Sequence, residues 1–123
     1  MKDEFLSEHF RRGEFACRCG CGFGLGDGDV HPVLVGGLEA LRRLAGRPVK
    51  VNSGCRCAAH NARQGGKARS THLRGLAADV KIKGLTPGQV AYLAERVPCF
   101  RDGGIGVYAW GVHLDVRGTR ARW

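Results

Sequence analysis

Two short stretches alternate strictly between faces, and what they place on the second face limits how this chain can fold. In residues 77–82, Ala78, Val80 and Ile82 fall on one face and Ala77, Asp79 and Lys81 on the other. In residues 112–116, Val112, Leu114 and Val116 share one face, and His113 and Asp115 share the other. Period-two alternation marks half-buried strands. A carboxylate such as Asp79, set mid-strand among small apolar residues, is costly to bury unless it is paired or bound to a metal. A sheet is therefore expected whose one face closes a core and whose other face carries chemistry.

Helical signals are few and well punctuated. His31-Pro32 starts a helix with proline at its first position. Leu34, Leu38, Leu41 and Leu44, with Val35, form its apolar stripe, Gly46 stops it, and Pro48 bars continuation. Gly36 and Gly37 weaken this helix or let a neighbour pack close. Thr86, Pro87 and Gln89 form a capping box for a second helix, with Val90, Leu93, Ala94 and Val97 as its buried stripe and Pro98 as its end. Residues 49–52 read as a strand, and residues 55–64 as a short helix or turn closed by Gly65-Gly66. Residues 105–108 and 112–116 read as a hairpin around Ala109-Trp110-Gly111. The 20 glycines favour many turns and few long helices. The expected fold class is α+β, a small antiparallel sheet with two main helices packed on it. At 123 residues the chain suits a single domain, with a Cys- and Gly-rich N-terminal segment over residues 1–30 and a core over residues 31–118.

The net charge of +9 and the pI near 9.8 favour an anionic partner. The cations are scattered and form no single basic helix, so no specific nucleic acid is expected. No apolar run is long enough to span a membrane. The start Met1-Lys2-Asp3-Glu4 lacks the plan of a secretion signal, so a cytoplasmic product that acts elsewhere only after release is expected. A monomer is expected.

His72, Asp79 and His113 form a ligand set that zinc accepts, and three protein ligands leave a fourth position for water. Gly75 would let the loop fold back so that His72 meets Asp79. The alternative from the residues alone is three polar side chains that never meet.

The order Ser70-x-His72, six residues, Asp79, then His113 on a strand resembles the zinc D-alanyl-D-alanine peptidases of the M15 family, which includes some phage endolysins. Val51-Asn52-Ser53-Gly54-Cys55-Arg56 resembles that family's Ser-Gly-Tyr-Arg segment, with Cys55 in place of tyrosine. Gly104-Ile105-Gly106-Val107-Tyr108 and Val112-His113-Leu114-Asp115-Val116-Arg117-Gly118 resemble the close of its domain. The resemblance covers about residues 30–118. It implies a hedgehog/DD-peptidase-like fold and one catalytic Zn²⁺ on His72, Asp79 and His113. It also implies hydrolysis of D-amino-acid-containing peptidoglycan peptides, as a carboxypeptidase or an endopeptidase. Arg56 would meet a substrate carboxylate or carbonyl oxygen, or steady the oxyanion. Ser70 would donate to substrate, or simply cap a turn. Many relatives carry an acid or histidine two or three residues before the last ligand, where this chain has Trp110 and Gly111. Asp115 is then the expected general base, with orientation of a ligand histidine as its other reading.

Six cysteines in such a chain argue against a disulfide framework. Cys17, Cys19, Cys21 and Cys57, with His60, could supply a second, structural zinc, although the spacing is tighter than usual. Reduced thiols or later disulfides are the alternatives. Two rival functions remain. One is a non-catalytic zinc-bearing wall-binding domain on the same fold. The other is a nucleic-acid module using the cysteines as a zinc knuckle.

Overall fold

The computed structural model describes residues 3–123. Met1 and Lys2, where the expected leaderless start begins, lie outside the described residues. In chain order the elements are a 3-10 turn at Arg12–Phe15, α1 at Pro32–Ala45, β1 at Lys50–Ser53 and α2 at Ala58–Arg63. A second 3-10 turn at Thr71–Arg74 leads to β2 at Ala77–Lys81 and α3 at Pro87–Ala94. There follow α4 at Pro98–Arg101, β3 at Gly104–Tyr108, β4 at Gly111–Asp115 and β5 at Ala121–Arg122. The fold is α+β.

The five strands form one sheet in the order β1-β2-β4-β3-β5. All pairings are antiparallel except β3 with β5. Register fixes the chemistry: Asp79 stands directly opposite His113, and Ala77 opposite Asp115. On β4's other side Gly106 faces His113 and Gly104 faces Asp115. An irregularity between Val51 and Ser53 in β1 sets Ser53 opposite Asp79.

The opposite face of the sheet is the core. Val51, Ala78, Val80, Ile105, Val112 and Leu114 pack there with Leu34, Leu38 and Leu41 of α1 and Val90 and Ala94 of α3. Helix α1 begins as its sequence predicts, with the His31 ring accepting from the Val33 amide at 3.1 Å, and ends at Gly46 in the left-handed region (φ 66°). Thr86 and Gln89 close the capping box of α3.

Three expectations need correction. Leu44 is not part of the buried stripe and is 43% exposed. Ten residues beyond Leu34 it has rotated about 80° off that face, because a helix turns about 100° per residue. Pro98 does not end the second helix: α3 stops at Ala94, and Pro98 opens the separate turn α4 as its first residue. The third concerns residues 1–30, which are more than a string of turns. Phe10 and Phe15 are fully buried, and side chains of this size contribute about 1.5–3 kcal/mol each when removed from water. Among the described residues no helix is long and apolar enough to cross a membrane.

Candidate metal centre

Each member of the expected triad is positioned by a local feature. Asp79 and His113 are opposed partners on the adjacent strands β2 and β4, so their side chains project from the same face. His72 comes from the turn Thr71–Arg74. That turn is opened by Ser70, whose Oγ accepts from the His72 amide at 3.3 Å, and closed by Gly75 at φ 66°. A side chain on Gly75 would collide with the Asp29 carbonyl.

One ligand atom from each of His72, Asp79 and His113 lies within 4.8 Å of the others, and all three residues are buried. His72 Nε2 is 3.1 Å from Asp79 Oδ1, and His113 Nδ1 is 3.2 Å from the same oxygen. The outer edges of both rings are committed elsewhere. His72 Nδ1 donates to the Gly54 carbonyl at 2.6 Å, and His113 Nε2 donates to Asp115 Oδ2 at 2.7 Å. These bonds assign the tautomers, so in the neutral rings the inner nitrogens carry lone pairs. Three acceptor atoms thus face one another in a buried spot with no donor between them. A divalent cation satisfies all three at once, and two imidazoles with one carboxylate are a donor set that zinc takes.

Without a cation, protons on the inner ring nitrogens take its place between the rings and Asp79. Burial alone would raise the Asp79 pKa, but bonding to His113 and His72 outweighs it and holds the carboxyl down to about 2. Burial lowers the His113 pKa, but its contacts with Asp115 and Asp79 win and raise it. In Asp115, burial is likewise outweighed, here by His113 and Arg117, and its pKa lies well below the usual carboxylate range.

The remaining predicted residues fall as follows. Arg56 Nη2 donates to Asp79 Oδ2 at 3.0 Å and its Nε donates to Ser53 Oγ at 3.0 Å. One Asp79 oxygen is therefore held by Arg56 while the other faces the two rings. Ser70 serves as the turn cap, and its hydroxyl lines the cleft above the triad. Asp115 lies across the His113 ring from Asp79 and is fully buried. Its Oδ1 accepts from the Gly104 amide at 2.9 Å and from Arg117 Nε at 3.0 Å, and its Oδ2 accepts from Arg117 Nη2 at 2.7 Å. Cys17, Cys19, Cys21 and Cys57 come together in a second cluster. The His60 ring is not a member, and only the His60 amide reaches it, donating to Cys57 Sγ at 3.4 Å.

Several residues were missed in sequence. Arg117 clamps Asp115, and Thr71 Oγ1 lies 3.3 Å from Asp115 Oδ2. The Trp123 ring packs on His113 with centroids 5.0 Å apart. The available signal was the alternation Gly104, Gly106 in β3. A Cβ on Gly104 would strike the Asp115 carboxylate, and one on Gly106 would meet the Trp123 indole at 2.5 Å.

The triad forms the floor of a cleft of about 550 Å³. Lys67, Arg69 and Arg117 stand around it, with Trp123 and the stacked pair Tyr108 and Trp110, whose ring centroids are 4.8 Å apart.

An α+β sheet with two imidazoles and a carboxylate converging at the base of an open cleft defines a metal-dependent hydrolase type of centre. A family model described as Peptidase M15 matches residues 8–115, and the chain belongs to the M15 peptidase family, whose members are zinc-dependent metallopeptidases. No curated protein matches the chain.

Proposed function

We propose that this chain is a zinc peptidase acting on D-amino-acid-containing peptidoglycan peptides, as a D,D-carboxypeptidase or an endopeptidase. The observation that carries the substrate reading is the charge of the cleft. Arg56, Lys67, Arg69 and Arg117 line it, and the one acidic side chain among the lining residues, Asp79, is already engaged by Arg56 and the two rings. Such a cleft suits a peptide that ends in, or branches near, a free carboxylate. Tyr108, Trp110 and Trp123 offer flat apolar contact for the rest of the chain.

His72, Asp79 and His113 would hold the zinc ion, which would supply Lewis-acid polarisation of a carbonyl and an acidified water. The protein's own residues do the rest. Arg56 Nη1 has no protein partner among the described residues, so it is free to donate to a substrate carboxylate or to the oxygen that gains charge. Ser70 supplies a hydroxyl at the rim. We read Asp115 as a positioning residue that fixes the His113 ring, rather than as the proton acceptor. Its oxygens are taken by His113, Gly104 and Arg117, and none of its surface meets solvent. Residues 31–118 act as the core of one domain in this reading, and the N-terminal segment braces it.

One observation favours a second reading, a zinc-bearing wall-binding domain without turnover. Among the described residues the three ligand candidates are the only acidic and imidazole side chains lining the cleft. A single experiment separates the two readings. The zinc-loaded chain is incubated with a muropeptide ending in D-Ala-D-Ala and with cross-linked dimers, and products are followed by mass spectrometry. Release of D-alanine or cleavage of the cross-link, lost in His72→Ala and His113→Ala, supports the peptidase. Binding of the muropeptide without any product supports the binding domain.

A further inference from the structure

The second cluster lies where the N-terminal segment meets the loop carrying Arg56. The Sγ atoms of Cys17, Cys19, Cys21 and Cys57 all lie within 4.8 Å of one another. Cys17 and Cys19 are 3.4 Å apart, and Cys19 and Cys57 3.6 Å. A disulfide needs about 2.05 Å, so these are contacts between free thiols. Four sulfurs held tetrahedrally at about 2.3 Å from one ion would sit about 3.8 Å apart, close to the spacing seen.

The backbone is shaped to bring the sulfurs inward. In an extended segment, cysteines two apart lie about 6.6 Å from each other along the strand. Here the Gly20 amide donates to the Cys17 carbonyl at 3.1 Å, and Gly20 and Gly22 take φ values of 81° and 96°, which curls the segment. Two amides also point at sulfur. Cys57 N–H donates to Cys17 Sγ at 3.4 Å, and His60 N–H donates to Cys57 Sγ at 3.4 Å. Amides aimed at sulfur stabilise thiolates and are a regular feature of metal–thiolate sites.

Four thiols this close to one another can all ionise together only with a cation among them, and a divalent ion supplies that charge.

We propose that Cys17, Cys19, Cys21 and Cys57 hold a structural zinc ion with a closed four-thiolate shell that excludes the His60 ring. The ion clasps the N-terminal segment to the residue next to Arg56, and so helps hold Arg56 against Asp79. The Cys55 amide, which donates to the Phe15 carbonyl at 2.8 Å, runs beside the same clasp.

The proposal needs no peptidase activity and is tested without it. The full reduced chain is loaded with cobalt, and its absorption is recorded. Intense near-ultraviolet thiolate-to-cobalt charge-transfer bands are expected, and they persist in His113→Ala. Zinc counted by mass spectrometry should fall from two ions per chain to one in His113→Ala and to one in the double variant Cys19→Ser/Cys21→Ser. A cobalt-loaded unmutated chain without thiolate bands would overturn the proposal, whether or not the serine variant folds. So would a zinc-loaded chain in which all four thiols react with Ellman's reagent as fast as they do after chelation. A Cys17–Cys19 or Cys19–Cys57 disulfide formed in preference to metal uptake would do the same.

Discussion

At the scale of single residues, the orientation of His113 rests on Asp115. In Asp115→Asn the amide oxygen can keep the bonds from the Gly104 amide and Arg117 Nε, while the NH₂ group loses the bond from Arg117 Nη2 and faces His113 Nε2. The ring must then accept at Nε2 and carry its proton on Nδ1, the atom turned toward Asp79. That proton occupies the lone pair a metal would use. Zinc affinity should fall about 10–100-fold while the fold persists, the usual size of the effect when a ligand histidine loses its supporting carboxylate. Competition against a chelating dye reads this directly, and an unchanged affinity would show that Asp115 does not set the tautomer. The same residues show how far the sequence could be read. Asp79 and His113 were legible because period-two alternation put them on one face, and His72 because Gly75 allowed a return loop. The Gly54 carbonyl that fixes His72 was not legible, since a backbone acceptor leaves no mark in residue identity. Nor was the Arg117 clamp, which depends on how the chain leaves β4.

At the scale of elements, α1 carries two adjacent glycines with opposite environments. A Cβ on Gly37 would lie 2.5 Å from Cys99 Sγ and 2.8 Å from Phe100 Cζ, because α4 packs on this point of the helix. A Cβ on Gly36 meets nothing within 4 Å. Alanine favours a helix interior over glycine by about 0.5–1 kcal/mol. Gly36→Ala should therefore stabilise by about that amount. Gly37→Ala should destabilise by about 1–3 kcal/mol, since Phe100 is fully buried and cannot swing away. Urea denaturation of the two variants tests the pair, and equal effects would mean that α4 does not pack tightly here. Helices α1 and α3 were legible because their ends are written locally, in His31-Pro32, Gly46 and the Thr86 capping box. The turn α4 and strand β5 were not. Residues 121–122 are a strand only because β3 lies beside them in parallel, and no local pattern in two residues announces that.

At the scale of the whole molecule, the N-terminal segment had no periodicity to read, yet Phe10 and Phe15 are anchored in the core and Glu39 ties the segment to α1. Glu39 Oε2 accepts from Ser7 Oγ at 2.5 Å and from the His9 amide at 2.7 Å, and its Oε1 lies 2.7 Å from His9 Nδ1. Ser7 and His9 are the groups that face this carboxylate, and Glu8 lies 3.7 Å beyond on the His9 ring. Burial would raise the Glu39 pKa, but the bonds from Ser7 and His9 outweigh it and lower it from the ordinary 4.5. A carboxyl lowered in the folded state adds stability that is fully present above its unfolded pKa and disappears as pH falls through the folded one. Asp79 and Asp115 are lowered as well, so the intact chain loses stability in acid from several sources at once. Glu39→Gln isolates one of them. Near neutrality the variant should be less stable by about 1.5–3 kcal/mol, the range for hydrogen bonds to a charged group. That gap should close as the pH drops below the carboxylate range, because the unmutated Glu39 then loses its charge too. Hydrogen exchange should place the loss in the N-terminal segment, where the Leu6 amide donates to the Phe10 carbonyl and the Arg12 amide to the Glu4 carbonyl. A stability gap that stayed constant with pH would mean that the ionised Glu39 does not fasten this segment to the core.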